Sequence, residues 1–220
     1  MSKNYLIIDT ETANGLNSPL VYDYGGIVVN NKGEILECFS FVNTDVFYGK
    51  RDLMQTCYYH EKIPTYEKEL FNGKRTAATF AQIYNYTNYL LKKYDIKAVL
   101  AYNMRFDQTA LNNTLQTLTN GKKKYFFPYE LDKQCIMCMA QDTICKQKTY
   151  KKFCLNNGYL TPRGRLKTTA EAVYKYINLN TEFEEEHTGL ADVMIEWKIW
   201  EKVKRQKKKM RRHYWDKAVI

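Results

Sequence analysis

The stretch that decides the fold is residues 5–12, Tyr-Leu-Ile-Ile-Asp-Thr-Glu-Thr. Its apolar run includes β-branched Ile7 and Ile8 and predicts a buried strand that ends in acidic residues. Side chains two apart on a strand point to the same face, so Asp9 and Glu11 are expected to project side by side. Two adjacent carboxylates repel each other and take up a proton unless a cation neutralises them. Alone, such a pair more often belongs to solvated surface than to a functional site.

The pattern outward from this strand predicts a mixed α/β sheet. Further strands are predicted at residues 22–29, 35–42, 98–102 and 135–140, with a hairpin turn at 30–33. Helices are predicted at residues 76–94, 106–118, 149–156, 168–177 and from 190 onward, whereas 43–75 reads as irregular. A hairpin followed by alternating strands and helices predicts a five-stranded mixed sheet flanked by helices.

The positive charge is concentrated at the C-terminus. The chain has 220 residues and a net charge of +10, and segment 198–217 holds ten of the 34 basic residues and two of the 24 acidic ones. This segment continues a helical spacing through Ile199, Val203, Met210 and Tyr214. We therefore predict a main domain at 1–200 and a basic C-terminal helical extension at 201–220. The extension is equally consistent with a solvated helix face and with an arm that follows phosphates.

The sequence has no pattern for a membrane span, a signal peptide or a structural zinc site. No segment approaches the roughly 20 consecutive apolar residues of a membrane-spanning helix, and the N-terminus has no signal-peptide pattern. A cytoplasmic protein with reduced thiols and no membrane partner is therefore expected. Cys135 and Cys138 form one CxxC within an apolar run, but no second pair follows at zinc-site spacing, which disfavours structural zinc.

Two later motifs carry further candidates. Asp107 follows the strand predicted at 98–102, where it could equally be a helix cap, and Asn103 in the same turn could serve the turn or a substrate hydroxyl. His187 and Asp192 are five apart, which is about 140° on one helix. We therefore expect His187 on the loop before the helix and Asp192 in its first turns, with Thr188 in a capping position.

In this order, the three motifs resemble those of the DnaQ-like (DEDDh) 3′–5′ exonucleases. The motifs are the Asp-x-Glu strand, Asn-x-x-Phe-Asp and His-x4-Asp, and the resemblance extends from about residue 5 to 200. It implies an RNase H-like fold and assigns catalysis to Asp9, Glu11, Asp107, His187 and Asp192. Residues 58–64 and 167–174 are also similar to small exonucleases encoded by bacteriophages, which would place the protein in bacterial or host cytoplasm. One departure is Gly189, where the family more often has Ala; we expect no effect on the metal site.

The resemblance and the donor chemistry together imply a metal-dependent mechanism. Four carboxylates without cysteine favour hard cations, so two Mg²⁺ or Mn²⁺ rather than zinc are expected. Asp9 would bridge them, Glu11 and Asp192 would complete the shells, and Asp107 would bind directly or through water. His187 would be the general base, because its unperturbed pKa of about 6.5 suits proton transfer near neutral pH.

Substrate contacts are implied by the resemblance alone. Glu11 and the backbone of Thr12 would meet the terminal 3′ hydroxyl, and Asn103 and Phe106 would contact the last nucleotide. The expected reaction is release of nucleoside 5′-monophosphates from 3′ ends, most readily of single-stranded DNA. An exoribonuclease that trims RNA ends and a catalytically silent nucleic-acid-binding module of the same fold are the alternatives. The sequence names no polymerase or other replication partner.

Overall fold

A computed structural model of the chain describes residues 3–16 and 18–218. Six strands form one mixed sheet in that part of the chain: β1 Asn4–Ala13, β2 Leu20–Asn30, β3 Ile35–Asn43, β4 Thr76–Ala78, β5 Ile96–Ala101 and β6 Asp132–Cys135. Their order across the sheet is β4-β3-β2-β1-β5-β6. The β1–β2 and β2–β3 pairs are antiparallel, whereas β1–β5, β3–β4 and β5–β6 are parallel. This arrangement places β1 near the centre of the sheet.

The described residues also form nine α-helices and a 3-10 helix at His60–Lys62. The α-helices are α1 Thr44–Phe47, α2 Arg51–Met54, α3 Ile63–Phe71, α4 Phe80–Lys93, α5 Met104–Leu118, α6 Ile136–Thr143, α7 Lys148–Asn156, α8 Ala170–Asn178 and α9 Gly189–Arg205. Local sequence sets several of their starts. Thr79 and Gln82 form a reciprocal capping box before α4, and the Thr169 side chain caps α8.

Strand β1 is buried on both faces, which explains its continuous apolar run. Leu6 and Ile8 point into a core with α4 and α5. Ile7 points the other way, into a core with α6 and α9. Each such side chain contributes about 1.5–3 kcal/mol when fully buried. The strand is therefore fixed between two helical layers, and its acidic end is fixed with it.

The predicted α/β class, a mixed sheet flanked by helices, is confirmed, with two changes among the strands. The sheet has six strands in the described residues rather than five, because Thr76–Ala78 pairs with β3 ahead of α4. The strand predicted at 135–140 is wrong: the strand is Asp132–Cys135, and the apolar residues after it form α6. A short apolar run buried on all sides does not distinguish helix from strand.

The segment 43–75, predicted to be irregular, is largely helical. It contains α1, α2, the 3-10 helix and α3, and it builds a third core cluster around Val46, Phe47, Met54 and Tyr66. Pro64 does not interrupt this segment, because it lies at the start of α3, where its missing N–H has no helical partner to lose. Of the five other predicted helices, four begin within two residues of the observed starts, whereas the helix predicted at 76–94 begins four residues later, at Phe80.

The C-terminal extension is helical only as far as Arg205, where α9 ends. Residues beyond it are irregular and pack against the domain. The Cys135 amide donates to the Arg212 carbonyl at 2.7 Å, and Arg211 Nε pairs with Asp142 Oδ2 at 2.8 Å. These contacts hold the segment against β6 and α6, and the segment is not helical there. The division at residue 200 stays a prediction, and residues 219–220 lie outside the described part.

Two further features concern compartment and cysteine chemistry. Within residues 3–16 and 18–218, no helix has the length and apolar character needed to cross a membrane. The six cysteines are free thiols. Cys135 Sγ lies 3.3 Å from the Tyr102 carbonyl, so it serves packing where the chain leaves β5.

Candidate active site

The site lies where β1, α5 and α9 converge. Asp9 and Glu11 project from β1 toward the α9 side, the same side as Ile7. Asp192 projects from the first turn of α9, where its amide donates to Thr188 O at 3.0 Å. One carboxylate oxygen from each of these three residues lies within 4.8 Å of the others. The three half-buried carboxylates therefore face one small space, called here the acidic triad.

Asp107 lies outside the acidic triad but reaches the same end of the sheet. It is in the first turn of α5 and only 3% exposed. Thr10 points to the opposite side of β1 from Asp9 and Glu11, and its hydroxyl donates to Asp107 Oδ1 at 2.9 Å. Strand β1, which carries Asp9 and Glu11, thus also positions Asp107 through Thr10.

Burial is the largest cause of a raised pKa in all four carboxylates. Burial raises the pKa of Glu11 to about 9, with repulsion from Asp192 next in size. Burial and then Glu185 raise the pKa of Asp192 to about 8. Burial also raises the pKa of Asp107 to about 7, and that of Asp9 well above its usual range. These groups hold protons near neutral pH unless a cation compensates for their charge.

His187 lies on the loop immediately before α9, as predicted. Its φ of 47° falls in the left-handed region, an uncommon conformation for histidine. Its ring stacks on Tyr59 with centroids 4.4 Å apart, and its Nδ1 lies 3.7 Å from Glu185 Oε2. Burial lowers the pKa of His187, and the positive charge of Lys62 lowers it further. The imidazole is therefore held in one orientation and favours the neutral form.

The three residues expected to contact substrate lie close in the chain to the carboxylates. Thr12 follows a register irregularity between Glu11 and Thr12 on β1. Asn103 precedes α5, and its side chain makes no capping hydrogen bond. The Phe106 amide donates to Asn103 O at 2.7 Å. This hydrogen bond lies in the first turn of α5, next to Asp107 in the chain. The roles assigned to these three residues stay predictions.

Sequence reasoning missed two buried acids near the triad. Asp23 on β2 faces Glu11 across the strand pair and is fully buried. Its Oδ2 accepts hydrogen bonds from Tyr66 Oη at 2.7 Å, Arg75 Nη1 at 2.8 Å and the Gly189 amide at 2.9 Å. Asp23 thereby ties the start of α9 to the sheet. Its signal in the sequence is an acid within an apolar strand pattern.

The second missed acid is Glu196, one turn beyond Asp192 on α9 and only 3% exposed. Its sequence signal is the spacing of four, which places both side chains on one helix face. Segment 58–62, for which the sequence gives a similarity to phage exonucleases but no residue role, covers the site through the stack of Tyr59 on His187. Its Lys62 Nζ donates to the Glu186 carbonyl and lies 4.9 Å from the Tyr59 ring centroid.

Comparison with solved structures gives the fold. Cell-death related nuclease 4 aligns over 94% of this chain and 66% of its own, with 15% identity and a TM-score of 0.52. E. coli exonuclease I with a dA16 oligonucleotide aligns over 93% of this chain and 41% of its own, with 13% identity and a TM-score of 0.56. This chain shares the fold of these nucleases. The predicted fold class, a mixed α/β sheet flanked by helices, agrees with this result.

This chain aligns with only part of each of these nucleases. The zinc-bound form of the E. coli exonuclease I–single-stranded DNA complex aligns over 94% of this chain and 41% of its own, with 14% identity and a TM-score of 0.56. The chain thus spans less than two thirds of each of these nucleases. The sequence itself matches no family model and no curated protein.

Proposed function

We propose that this chain is a divalent-metal-dependent 3′–5′ exonuclease that acts most readily on single-stranded DNA. The observation that carries the proposal is the acidic triad, whose carboxylate oxygens lie within 4.8 Å of one another. The triad lies on a fold shared with exonucleases, among them exonuclease I solved with single-stranded oligonucleotides. The main domain would carry the chemistry, and the basic extension would add binding.

The donor set fits Mg²⁺ or Mn²⁺. It consists of carboxylate oxygens, which hard cations prefer. Asp192 Oδ1 is buried without a hydrogen-bond partner, so the protein leaves one ligand atom unsatisfied at the triad. Asp9, Glu11 and Asp192 would hold a cation, with Asp107 beside them. When bound, such cations supply an activated water and neutralise phosphate charge.

The protein's own groups would orient substrate and move the proton. His187 would accept a proton from the attacking water at Nε2, because Nδ1 faces Glu185 and the lowered pKa keeps the ring neutral near pH 7. Glu11 and the Thr12 backbone would receive the terminal 3′ hydroxyl. Asn103 and Phe106 would contact the last nucleotide, which explains the need for a free end.

The test uses a 5′-labelled single-stranded oligonucleotide with Mg²⁺, Mn²⁺ or EDTA. The wild type is expected to give a ladder that shortens from the 3′ end, with nucleoside 5′-monophosphates as product. Asp9→Asn, which removes a proposed metal ligand, and His187→Ala, which removes the proposed general base, should each lower the rate by roughly 100-fold or more. Glu67→Gln is the matched control, because Glu67 is an exposed carboxylate on α3.

Each alternative gives a different result in the same assay. Full activity in Asp9→Asn or His187→Ala would contradict the site assignment. Binding of oligonucleotides without any metal-dependent cleavage would identify a silent binding module. A panel of single-stranded DNA, duplex DNA and RNA separates a deoxyribonuclease from a ribonuclease, since the 2′ hydroxyl is the chemical difference between the strands.

A further inference from the structure

A cavity beside strand β6 contains none of the proposed catalytic residues. Its volume is about 450 Å³, and ligand sites commonly measure about 300–1,000 Å³. The start of β6, the loop before it, helix α5 and the C-terminal extension all contribute to its walls. The side chains considered below are those of Gln108, Tyr125, Tyr129, Lys133 and Trp215. This space is called here the aromatic cavity.

Three exposed aromatic side chains line the aromatic cavity. Trp215 is 58% exposed, and Tyr125 and Tyr129 are more exposed still. Exposed apolar surface that is rimmed by polar residues marks an interaction site more often than chance. Aromatic rings stack favourably on other flat ring systems. The cavity therefore suits a ligand that contains a flat ring.

Trp215 is held in place before any ligand binds. Its ring stacks on that of His213, with centroids 4.7 Å apart and an interplanar angle of 6°. His213 Nε2 lies 2.7 Å from Asp132 Oδ1, and His213 Nδ1 lies 3.2 Å from Asp216 Oδ2. The indole is thus supported by an imidazole that two carboxylates hold. A ring that is already ordered loses little further freedom on binding.

The loop before β6 is fixed by one ammonium group. Lys133 Nζ donates to the carbonyl oxygens of Pro128 at 2.9 Å, Tyr129 at 3.1 Å and Leu131 at 2.6 Å. A lysine ammonium has three N–H donors, so the loop engages all of them. Lys133 therefore shapes the cavity and does not attract a charged ligand to it.

The polar groups of the cavity favour an uncharged ligand with N–H donors. Gln108 Oε1 is buried without a hydrogen-bond partner, so this wall has an unmet acceptor. Glu130 and Asp132 also line the cavity, and their carboxylates repel a phosphate group. Unpaired nucleobases combine a flat, uncharged ring with hydrogen-bonding groups along an open edge. They match both the rings and the polar groups of the cavity.

The cations that a nucleic-acid strand requires lie next to the cavity, on the segment that supplies Trp215. Lys207, Lys208 and Arg212 are exposed and line another cavity, which reaches strand β6 at Gln134. Basic side chains therefore follow the edge strand β6, and the aromatic cavity lies along the same strand. A strand whose phosphates contact these cations would have its bases within reach of Trp215.

We propose that the aromatic cavity binds one unpaired nucleobase of a single-stranded nucleic acid, stacked on Trp215. The phosphates of that strand contact the basic C-terminal extension. Aromatic stacking combined with a positively charged track is a common way to bind single strands without sequence preference. The proposal rests on the proposed function in that the strand is the proposed substrate. Binding requires no cleavage, so the two can be tested separately.

The experiment measures binding of fluorescein-labelled oligo(dT) to the full chain by anisotropy, in EDTA and over a range of salt concentrations. Trp215→Ala should weaken binding by about 5- to 150-fold, the usual effect of losing one base stack. The slope of log affinity against log salt should stay unchanged, because the indole neutralises no phosphate. Affinity for duplex DNA of the same length should also stay unchanged, since its bases remain stacked on each other.

Two further variants complete the design. Trp215→Phe keeps an aromatic ring and should retain most of the affinity. It should lose most of the quenching of tryptophan fluorescence that strand binding causes in the wild type. Phe71→Ala is the matched control, because Phe71 is an exposed aromatic residue on α3 outside the cavity. It should bind with wild-type affinity, and thermal unfolding checks that every variant is folded.

The outcomes also distinguish stacking from a structural role of Trp215. If Trp215→Ala binds single strands with wild-type affinity, the proposal is overturned and the cavity belongs to another kind of ligand. A salt slope that falls together with affinity overturns it too, because Trp215 would then act by holding the basic extension in place. Equal losses for single-stranded and duplex DNA exclude recognition of an unpaired base.

The proposed function and this inference can fail independently. If Trp215→Ala weakens single-strand binding at an unchanged salt slope but the wild type cleaves nothing, the proposed function fails and this inference stands. If the wild type cleaves and Trp215→Ala binds normally, only this inference fails. A wild type that binds no single strand in EDTA overturns this inference whatever the cleavage assay shows.

Discussion

At the scale of single residues, Tyr59 shows how a catalytic candidate is positioned by a neighbour remote in sequence. Its ring lies nearly parallel to that of His187, with an interplanar angle of 14°. This stack holds a histidine whose backbone is in the left-handed region, a conformation that costs about 1–2 kcal/mol for residues with a Cβ. The imidazole is therefore placed by tertiary contact rather than by local preference.

The stack gives a residue-level prediction. Tyr59→Ala should lower kcat by roughly 10- to 100-fold, because a displacement of about 1 Å at a reacting group has effects of this size. Mn²⁺ affinity should remain unchanged, since Tyr59 supplies no carboxylate to the acidic triad. The measurement is steady-state cleavage together with calorimetric Mn²⁺ binding.

Tyr58→Ala is the matched control, because Tyr58 is the adjacent tyrosine and is 85% exposed. It should retain kcat within about twofold, as exposed substitutions away from a site usually do. Equal losses in both variants would show that the segment acts through its fold and not through the stack on His187.

At the scale of elements, helix α9 brings Asp192 and Glu196 to the sheet through a close backbone contact. A Cβ on Gly25 of β2 would lie 2.2 Å from the Gly189 carbonyl carbon, and a Cβ on Gly189 would lie 2.7 Å from the Gly25 amide. Both glycines therefore let α9 approach β2 closely. We predicted no effect of Gly189 on the metal site, and that prediction is still to be tested.

This contact predicts the effect of a single methyl group. Gly25→Ala should destabilise the protein by about 1–3 kcal/mol, the usual cost of overpacking, and lower nuclease activity at least tenfold. The reason is that the start of α9 must move, and Asp192 moves with it. Urea unfolding and the cleavage assay measure the two effects.

Gly73→Ala is the control for this prediction. Gly73 has a φ of 74° and open space where a Cβ would lie, so the substitution costs about 1 kcal/mol of backbone strain with no packing clash. Its nuclease activity should equal that of the wild type. Wild-type activity in Gly25→Ala would show that the close approach of α9 is not required.

At the scale of the whole molecule, the buried carboxylates predict that stability without metal falls as pH rises. Folding raises the pKa of Glu11 to about 9, that of Asp192 to about 8 and that of Asp107 to about 7, from about 4 when unfolded. The folded state thus binds more protons, and stability present below about pH 4 is lost as pH rises through about 7 to 9.

The measurement is the melting temperature between pH 5 and pH 9, in EDTA and in Mn²⁺. In EDTA the melting temperature of the wild type should fall across this range. That of Asp9→Asn should fall less, because one repelling charge is removed. Mn²⁺ should flatten the dependence, since the cation binds the ionised carboxylates of the folded state. The expectation is refuted if the EDTA and Mn²⁺ curves have the same slope.

The charge distribution gives a prediction for binding of nucleic acid. Lys207, Lys208 and Lys209 are exposed and make no ion pair among the described residues. Replacing all three by Gln should reduce the slope of log affinity against log salt by about 2 for single-stranded DNA, at about 0.7 for each phosphate that is no longer neutralised. This triple variant tests the extension while keeping the packing of Arg211 and Arg212.

The matched control replaces Lys122, Lys123 and Lys124, three exposed lysines in the loop after α5. Their replacement should leave the salt slope unchanged if the strand follows the C-terminal extension. An unchanged slope in the 207–209 variant would show that the extension is a solvated surface.

The sequence by itself determined the central strand, the fold class and the set of acidic candidates. These follow from local patterns: an apolar run at 5–8 that ends in alternating acids, and helical periods elsewhere. It did not determine segment 43–75 or the course of the chain after Arg205. Their structure depends on contacts with distant parts of the chain, such as the pairing of Arg211 with Asp142.

Only the tertiary structure decided which acids share a space. The first strand offers Asp9 and Glu11, but the seating of α9 against Gly25 decides that Asp192 joins them. Burial of Asp23 and Glu196 is likewise invisible in a sequence, since it depends on what covers each side chain. The patterns that predict strands and helices involve only a few neighbouring residues. Repulsion between carboxylates depends instead on distances that the packed fold sets.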